Sequence, residues 1–388
     1  MKTVRKIITS HRFFQTTTNQ TMKTGTILLA ITALLAGCSD GAHFNATDGI
    51  MEYSSHIVLD DTPQGFTAQI ANPWKKNTLL HSYTFTTEES TDYSFNRNSN
   101  TIQVPLRRIV VMTNSLAHLM VELGAVDCIA GVCEPEYIAD SVVRARLANG
   151  TIMDCGNSMY PTIEKIMELK PDAIMVSPFE ETGYGQLEKL GIPLLECADY
   201  METSPLARAE WMRFYGRLFG VGNNADTLFQ QVKSNYQTLC EVAAKTPLRP
   251  RVMLDTKSGS AWYVAGGGST IGQMITDAGG NYIFAENKNS GSVPLSFETV
   301  FEKAQDADVW LLKNSSSNNL TYKLLESDYK QYSSFKPFKE SNIWVCDVYQ
   351  VPYFELTAFH PEILLADFMA IFHPELSHAR TFYHPLDE

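Results

Sequence analysis

Apolar and polar positions along this chain switch between two periods, and one block in which they do so returns later in blurred form. The block is Pro161-Thr-Ile-Glu-Lys-Ile-Met-Glu-Leu-Lys-Pro-Asp-Ala-Ile-Met-Val-Ser177, and its echo is Leu295-Ser-Phe-Glu-Thr-Val-Phe-Glu-Lys-Ala-Gln-Asp-Ala-Asp-Val-Trp-Leu311. Glu164 falls on Glu298, Glu168 on Glu302 and Asp172 on Asp306. Each copy has a polar start, a short amphipathic helix, a turn and a β-rich apolar run. Such a return at long period predicts a supersecondary unit used twice.

The rest of the pattern extends the repeat. Residues 107–113 read as a short buried strand, Asn114-Ser115 as the cap of a helix that Gly124 ends, and residues 128–132 as the next strand. After the first block come a helix at 185–190 and a strand at 192–197. The second half restarts with a strand at 250–255, a helix at 273–278 and Gly279-Gly280, so Met274-Ile-Thr-Asp-Ala-Gly279 echoes Leu119-Met-Val-Glu-Leu-Gly124. Between the halves, residues 205–245 keep a helical period without any strand, and Pro247 and Pro250 close it. The fold class is therefore α/β: two pseudo-symmetric parallel-sheet lobes, 106–204 and 249–388, joined by one long helix within a helical connector at 205–248. Residues 65–105 alternate in β fashion around the Asn-Pro-Trp turn at 72–74 and read as a β-hairpin extension.

Charge changes the picture at the N-terminus. The first 37 residues hold five Lys or Arg and no Asp or Glu, in a chain of net charge −12. From Met22, a positive start leads into an apolar run too short to span a bilayer and then into Leu35-Ala-Gly-Cys38. Residues 1–37 read as a signal peptide whose start is Met22, Leu35–Cys38 as a bacterial lipobox with Cys38 as the lipidated residue, and 38–64 as anchor and tether. The localisation expected is the cell envelope, lipid-anchored in the periplasm. Cys128, Cys133, Cys155, Cys197, Cys240 and Cys346 remain, which export permits to pair but which are equally readable as buried thiols. The acidic balance argues against nucleic acid as a partner.

Several stretches resemble the substrate-binding lipoproteins of ABC importers for iron–siderophore, haem and cobalamin, the group with two lobes joined by one long helix. They are Arg108-Ile-Val-Val-Met112, Leu123-Gly-Ala-Val-Asp127, the Glu-x-x-x-Glu-Leu-Lys-Pro-Asp block from Glu164, Leu190-Gly-Ile-Pro193, Trp262-Tyr-Val-Ala-Gly-Gly267 and Asp277-Ala-Gly-Gly280. The similarity covers roughly residues 105–375. It implies capture of a metal chelate or corrinoid between the lobes and delivery to an ABC permease dimer, on which Glu164 and Glu298, one per lobe, would dock against arginines. Taken alone, both glutamates are also explained as carboxylates favoured at helix N-termini.

In open parallel sheets ligands bind beyond the carboxyl ends of the strands. That rule selects Asn114, Ser115, Tyr184, Trp262, Tyr263 and Tyr353 as ligand-binding candidates, among loops dense in aromatics suited to large flat ligands. Arginines are scarce in these loops and Glu134, Glu136, Glu180, Glu181 and Glu355 are present, which favours cobalamin or another near-neutral ligand over an anionic chelate. His118 reads as a structural histidine rather than a haem ligand. Ala265-Gly-Gly-Gly-Ser-Thr270 lacks the lysine of a P-loop and reads as a loop that lets backbone approach a ligand. The sequence carries no catalytic constellation and assigns no cofactor and no metal site. A scavenging or adhesion lipoprotein acting without a permease is the alternative function.

Overall fold

Residues 49–88, 101–180, 182–316 and 318–388 are described by the computed structural model; the expected signal peptide and Cys38 lie outside them. The extension is a four-stranded sheet rather than a hairpin. Strands β1 (Ile57–Thr62), β2 (Gly65–Ala71) and β3 (Leu79–Thr86) are antiparallel neighbours, and β4 (Thr101–Gln103) lies parallel to β3. The Asn-Pro-Trp turn is held by the Asn72 side chain, whose Oδ1 accepts from the N–H groups of Trp74 and Lys75 at 3.0 and 2.9 Å. Strand β1 falls in the segment expected to be tether. Its start, Ile57-Val-Leu59, is wholly buried, and that burial makes it a strand. Along β2 and β3, Phe66, Ala68, Ile70, Tyr83 and Phe85 turn inward. Phe66 stacks on Phe85 at 4.4 Å and both meet Phe214 of the connector edge-on.

The first lobe holds β5 (Ile109–Val111), β6 (Ile129–Val132), β7 (Met153–Asp154), β8 (Ala173–Val176) and β9 (Leu194–Glu196), all parallel in the order β7-β6-β5-β8-β9. Every residue of β5, β6 and β8 is buried, as a parallel sheet covered on both faces requires. In chain order the second half supplies β10 (Arg251–Leu254), β11 (Lys257–Ser258), β12 (Ala261–Ala265), β13 (Asn281–Tyr282), β14 (Ser292–Leu295), β15 (Val309–Asn314), β16 (Ile343–Asp347) and β17 (Tyr383–Pro385). Its main sheet has the order β13-β10-β15-β16-β17, parallel except for β17, and β11-β12-β14 form a small antiparallel sheet beside it.

The two halves match most closely where each first strand meets the strand after its Glu block. In the first lobe, Asp172 Oδ2 accepts from the backbone N–H of Arg107 and Arg108 at 2.7 and 2.8 Å, and the Asp172 N–H returns a bond to Arg108 O. Its structural counterpart is Asp308, not Asp306: Asp308 Oδ2 accepts from the Arg251 N–H at 2.8 Å, and the Asp308 N–H donates to Arg251 O. The second turn is two residues longer, so register is lost after the glutamates, and Asp306 pairs with the Arg251 side chain instead.

The connector is three helices in succession, Pro205–Glu210, Met212–Leu218 and Gly222–Ala244, of which only the last is long. Its first turns receive the chain that precedes β1. Glu210, fully buried, accepts the backbone N–H groups of Glu52, Tyr53 and Ser54 at 2.6, 2.8 and 3.0 Å. Glu202 accepts those of Ser55 and His56, the Ser54 hydroxyl and the indole N–H of Trp211. Two carboxylates so supplied with donors are tolerated in the core.

Candidate functional site

A cleft of about 1460 Å³ opens where the carboxyl ends of β5, β6 and β8 face the loop after β16. It exceeds the roughly 300–1,000 Å³ of most small-molecule pockets. Strand β5 delivers Thr113, Asn114 and Ser115 at the head of the helix Asn114–Glu122. After β6, Glu134 turns into the left-handed region at φ 52°, and its Oε1 accepts from Asn157 Nδ2 at 2.9 Å and the Ser158 hydroxyl at 3.0 Å, tying two wall loops together. Beyond β8, Pro178 O accepts from the Tyr200 hydroxyl, which holds the turn that presents Phe179. The second half contributes residues within 348–357, among them Tyr349, Tyr353, Phe354 and Glu355.

Of the eleven large apolar residues that the described chain leaves exposed, six line this cleft: Tyr137, Met159, Tyr160, Phe179, Tyr349 and Phe354. An apolar concentration of that kind is unusual on a soluble surface without a partner for it. Charges there nearly balance. Arg144 and Arg208 stand against Glu134, Glu136 and Glu355, and Arg208 Nε already donates to Asp199 Oδ2 at 3.1 Å. Glu355 is 3% exposed; its Oε1 accepts from the Ala139 N–H at 2.8 Å, while its Oε2 has no partner, and burial pushes its carboxyl up.

The same loop joins the halves. Tyr349 stacks on Tyr137 at 5.8 Å, and His360 Nε2 lies 2.9 Å from Glu122 Oε2 with its Nδ1 3.0 Å from Glu362 Oε1. His118 belongs to this seam: its Nδ1 lies 2.9 Å from Asp140 Oδ2.

Asn114, Ser115, Tyr184 and Tyr353 all line the cleft. Trp262 and Tyr263 do not. Strand β12 alternates, so Trp262 points inward and Tyr263 outward. Trp262 is fully buried, packed on Trp310, Tyr332 and Phe335, with its indole N–H donating to Leu254 O at 3.1 Å. Tyr263 is 51% exposed on the small sheet, away from the cleft lining. The glycine run after β12 is also packing: a Cβ on Gly266 or Gly267 would stand 1.9 Å from Asn289 O or 2.3 Å from Ala285 O, so these glycines admit neighbouring backbone, not a ligand. Reading the loops alone missed Arg144 and Arg208, which lie on helices. Glu164 and Glu298 occupy the first turns of Ile163–Leu169 and Phe297–Ala304, exposed in both lobes. Ser296 caps the second helix through the Thr299 N–H, and backbone and Ser296 donors hold the Glu298 carboxyl below its usual range. The six cysteines among the described residues are free thiols, five of them buried, and burial pushes the Cys133 thiol up to about 12.

The sequence model of the family described as periplasmic binding protein matches residues 109–347. An uncharacterized lipoprotein of Methanocaldococcus jannaschii is 30% identical over 295 residues, covering 72% of this chain and 68% of that protein. A cobalamin-binding protein of Halobacterium salinarum is 27% identical over 205 residues, 52% of each chain. Among solved structures, an ABC-type Fe3+-hydroxamate transport protein of Saccharomonospora viridis superposes with a TM-score of 0.55 at 19% identity, covering 69% of this chain and 94% of that one. At that identity the likeness speaks for the fold alone.

Proposed function

Because this chain belongs to the periplasmic binding protein family, we propose that it is an extracytoplasmic solute-binding lipoprotein that takes a large, near-neutral metal chelate, a corrinoid first of all, into the cleft and passes it to an ABC import permease. The observation that carries this reading is the clustering of six exposed apolar side chains on one cleft between the lobes, with Tyr137, Tyr160, Phe179 and Met159 from the first half and Tyr349 and Phe354 from the second. Flat macrocycles are held by such walls. Near-balance of charge favours a corrinoid over an anionic siderophore, and the named activity of the Halobacterium relative points the same way. The lipid would be carried by Cys38, and Glu164 and Glu298 would meet the two permease subunits.

Calorimetric titration of the purified protein with cyanocobalamin, haemin and a ferric catecholate tests the ligand. Saturable binding of cyanocobalamin is expected; tight binding of either other ligand with none of cyanocobalamin refutes the corrinoid reading. For delivery, replacing Glu164 and Glu298 together by Ala is expected to leave affinity unchanged and abolish uptake by cells that depend on this protein. Uptake at the wild-type rate removes the docking role. Loss of acylation and of membrane association is expected for Cys38→Ala.

A further inference from the structure

The extension sheet lies wholly outside the segment matched by the family model, yet it touches a strand that braces the cleft wall. Its strand β3 sends side chains to β9, the edge strand of the first lobe's sheet. Tyr83 of β3 is 2% exposed, and its hydroxyl takes the place a neighbouring strand would fill: it donates to Leu194 O at 3.0 Å and accepts from the Glu196 N–H at 3.1 Å. An edge strand otherwise keeps those groups unpaired. The His81 ring stacks on Tyr83 at 4.1 Å and sets its Nδ1 3.6 Å from Glu196 Oε2.

Glu196 faces the opposite way as well. It is 9% exposed, and its Oε1 accepts from the Tyr184 hydroxyl at 2.9 Å. Tyr184 is a wall residue of the cleft on a short loop whose Gly185 sits at φ 58°, and its backbone N–H donates to Glu188 Oε1 at 2.7 Å. The backbone of that loop is thus tied to Glu188, while the phenol end of the ring is tied to Glu196. A buried carboxylate surrounded by two tyrosines and a histidine makes a costly arrangement for simple packing, since apolar residues of similar volume would fill the space without desolvating a charge.

We propose that β3 of the extension is a positioning element of the ligand cleft, in which Tyr83 fixes Glu196 and Glu196 fixes the ring of Tyr184 against the bound ligand. The inference rests on the reading of the cleft as the ligand site. It assigns the extension a role in affinity, through Tyr184, in addition to its packing on the connector. A pre-set wall binds better than one that must be ordered by the ligand.

A double-mutant cycle read in affinity tests it, with cyanocobalamin as the probe and urea unfolding of every variant in parallel. Tyr184→Phe and Glu196→Ala are each expected to raise Kd by roughly 3- to 10-fold, the weight of one hydrogen bond. In the Tyr184→Phe background, Glu196→Ala is expected to raise it no further, because the group it acts through is gone. Glu196→Gln keeps an acceptor for the Tyr184 hydroxyl and is expected to restore most of the affinity that Glu196→Ala loses. Tyr83→Phe keeps the ring and removes only the hydroxyl, and is expected to weaken binding in the wild-type background but not in Tyr184→Phe. Additive losses in the cycle, or variants that lose stability while Kd stays at the wild-type value, overturn the proposal. If the wild-type protein binds no cyanocobalamin, the ligand reading fails and this inference with it; binding with an additive cycle removes the inference alone.

Discussion

His360 offers a quantitative test of how the halves are held together. Burial alone would lower its pKa, but the hydrogen bonds from the ring to Glu122 and Glu362 and the charges of those carboxylates outweigh it and raise the value from 6.5 to about 9. Glu122 lies on the first lobe's helix Asn114–Glu122, so the pair spans the seam. A histidine whose pKa is higher in the folded state stabilises it fully below the unfolded value of about 6.5 and stops doing so as pH rises through about 9. At 1.36 kcal/mol per pH unit, the interval corresponds to about 3 kcal/mol. The perturbation is His360→Gln, which keeps polar atoms in place and removes the proton. Urea unfolding of both proteins, followed by tryptophan fluorescence between pH 6 and pH 10, is expected to show a stability gap that narrows by about 3 kcal/mol across that range. A gap that stays constant from pH 6 to pH 10 would mean that the proton on His360 contributes nothing and would refute the reasoning.

Three further outcomes are expected. Trp262→Ala should destabilise the protein by about 3–5 kcal/mol, as loss of a fully buried ring does, with the Kd for cyanocobalamin unchanged; a selective loss of binding would return Trp262 to the cleft. Gly267→Ala should cost about 1–3 kcal/mol, because its Cβ would meet Ala285 O at 2.3 Å, and thermal unfolding at the wild-type temperature would contradict this. Glu210→Ala should raise hydrogen exchange at Glu52, Tyr53 and Ser54 roughly tenfold or more, read by peptide-level mass spectrometry; unchanged protection would show that other contacts hold the segment.

Much of the architecture was legible because it rests on periodicity. The Glu block reads as helix, turn and strand in both copies because its apolar residues fall at helical spacing and then run continuously. The copies drift where the second turn gains two residues, and no pattern within Ala304-Gln-Asp-Ala-Asp308 distinguishes the aspartate that braces β10 from the one that pairs with a side chain. Strand β1 was hidden because a polar half, Asp60-Asp-Thr62, follows its buried start. In the cleft, Asn114, Ser115, Tyr184 and Tyr353 followed from the rule about strand ends. Trp262 did not, since alternation in β12 says that neighbours face opposite ways but not which face is the core. Arg144 and Arg208 were invisible for a related reason: which side of a helix meets a cleft formed by distant segments is a tertiary fact.

The carboxylate of Glu210, with three successive backbone N–H groups in its grip, also decides where mechanical load enters the molecule. Tension on the chain ahead of Gly49 meets one backbone bond to β1, from the Ile50 N–H to Leu59 O, and then passes at Glu52, Tyr53 and Ser54 into the helical connector, not into the sheet of either lobe. The segment is fastened at the molecule's waist, on an element that belongs to neither lobe's sheet.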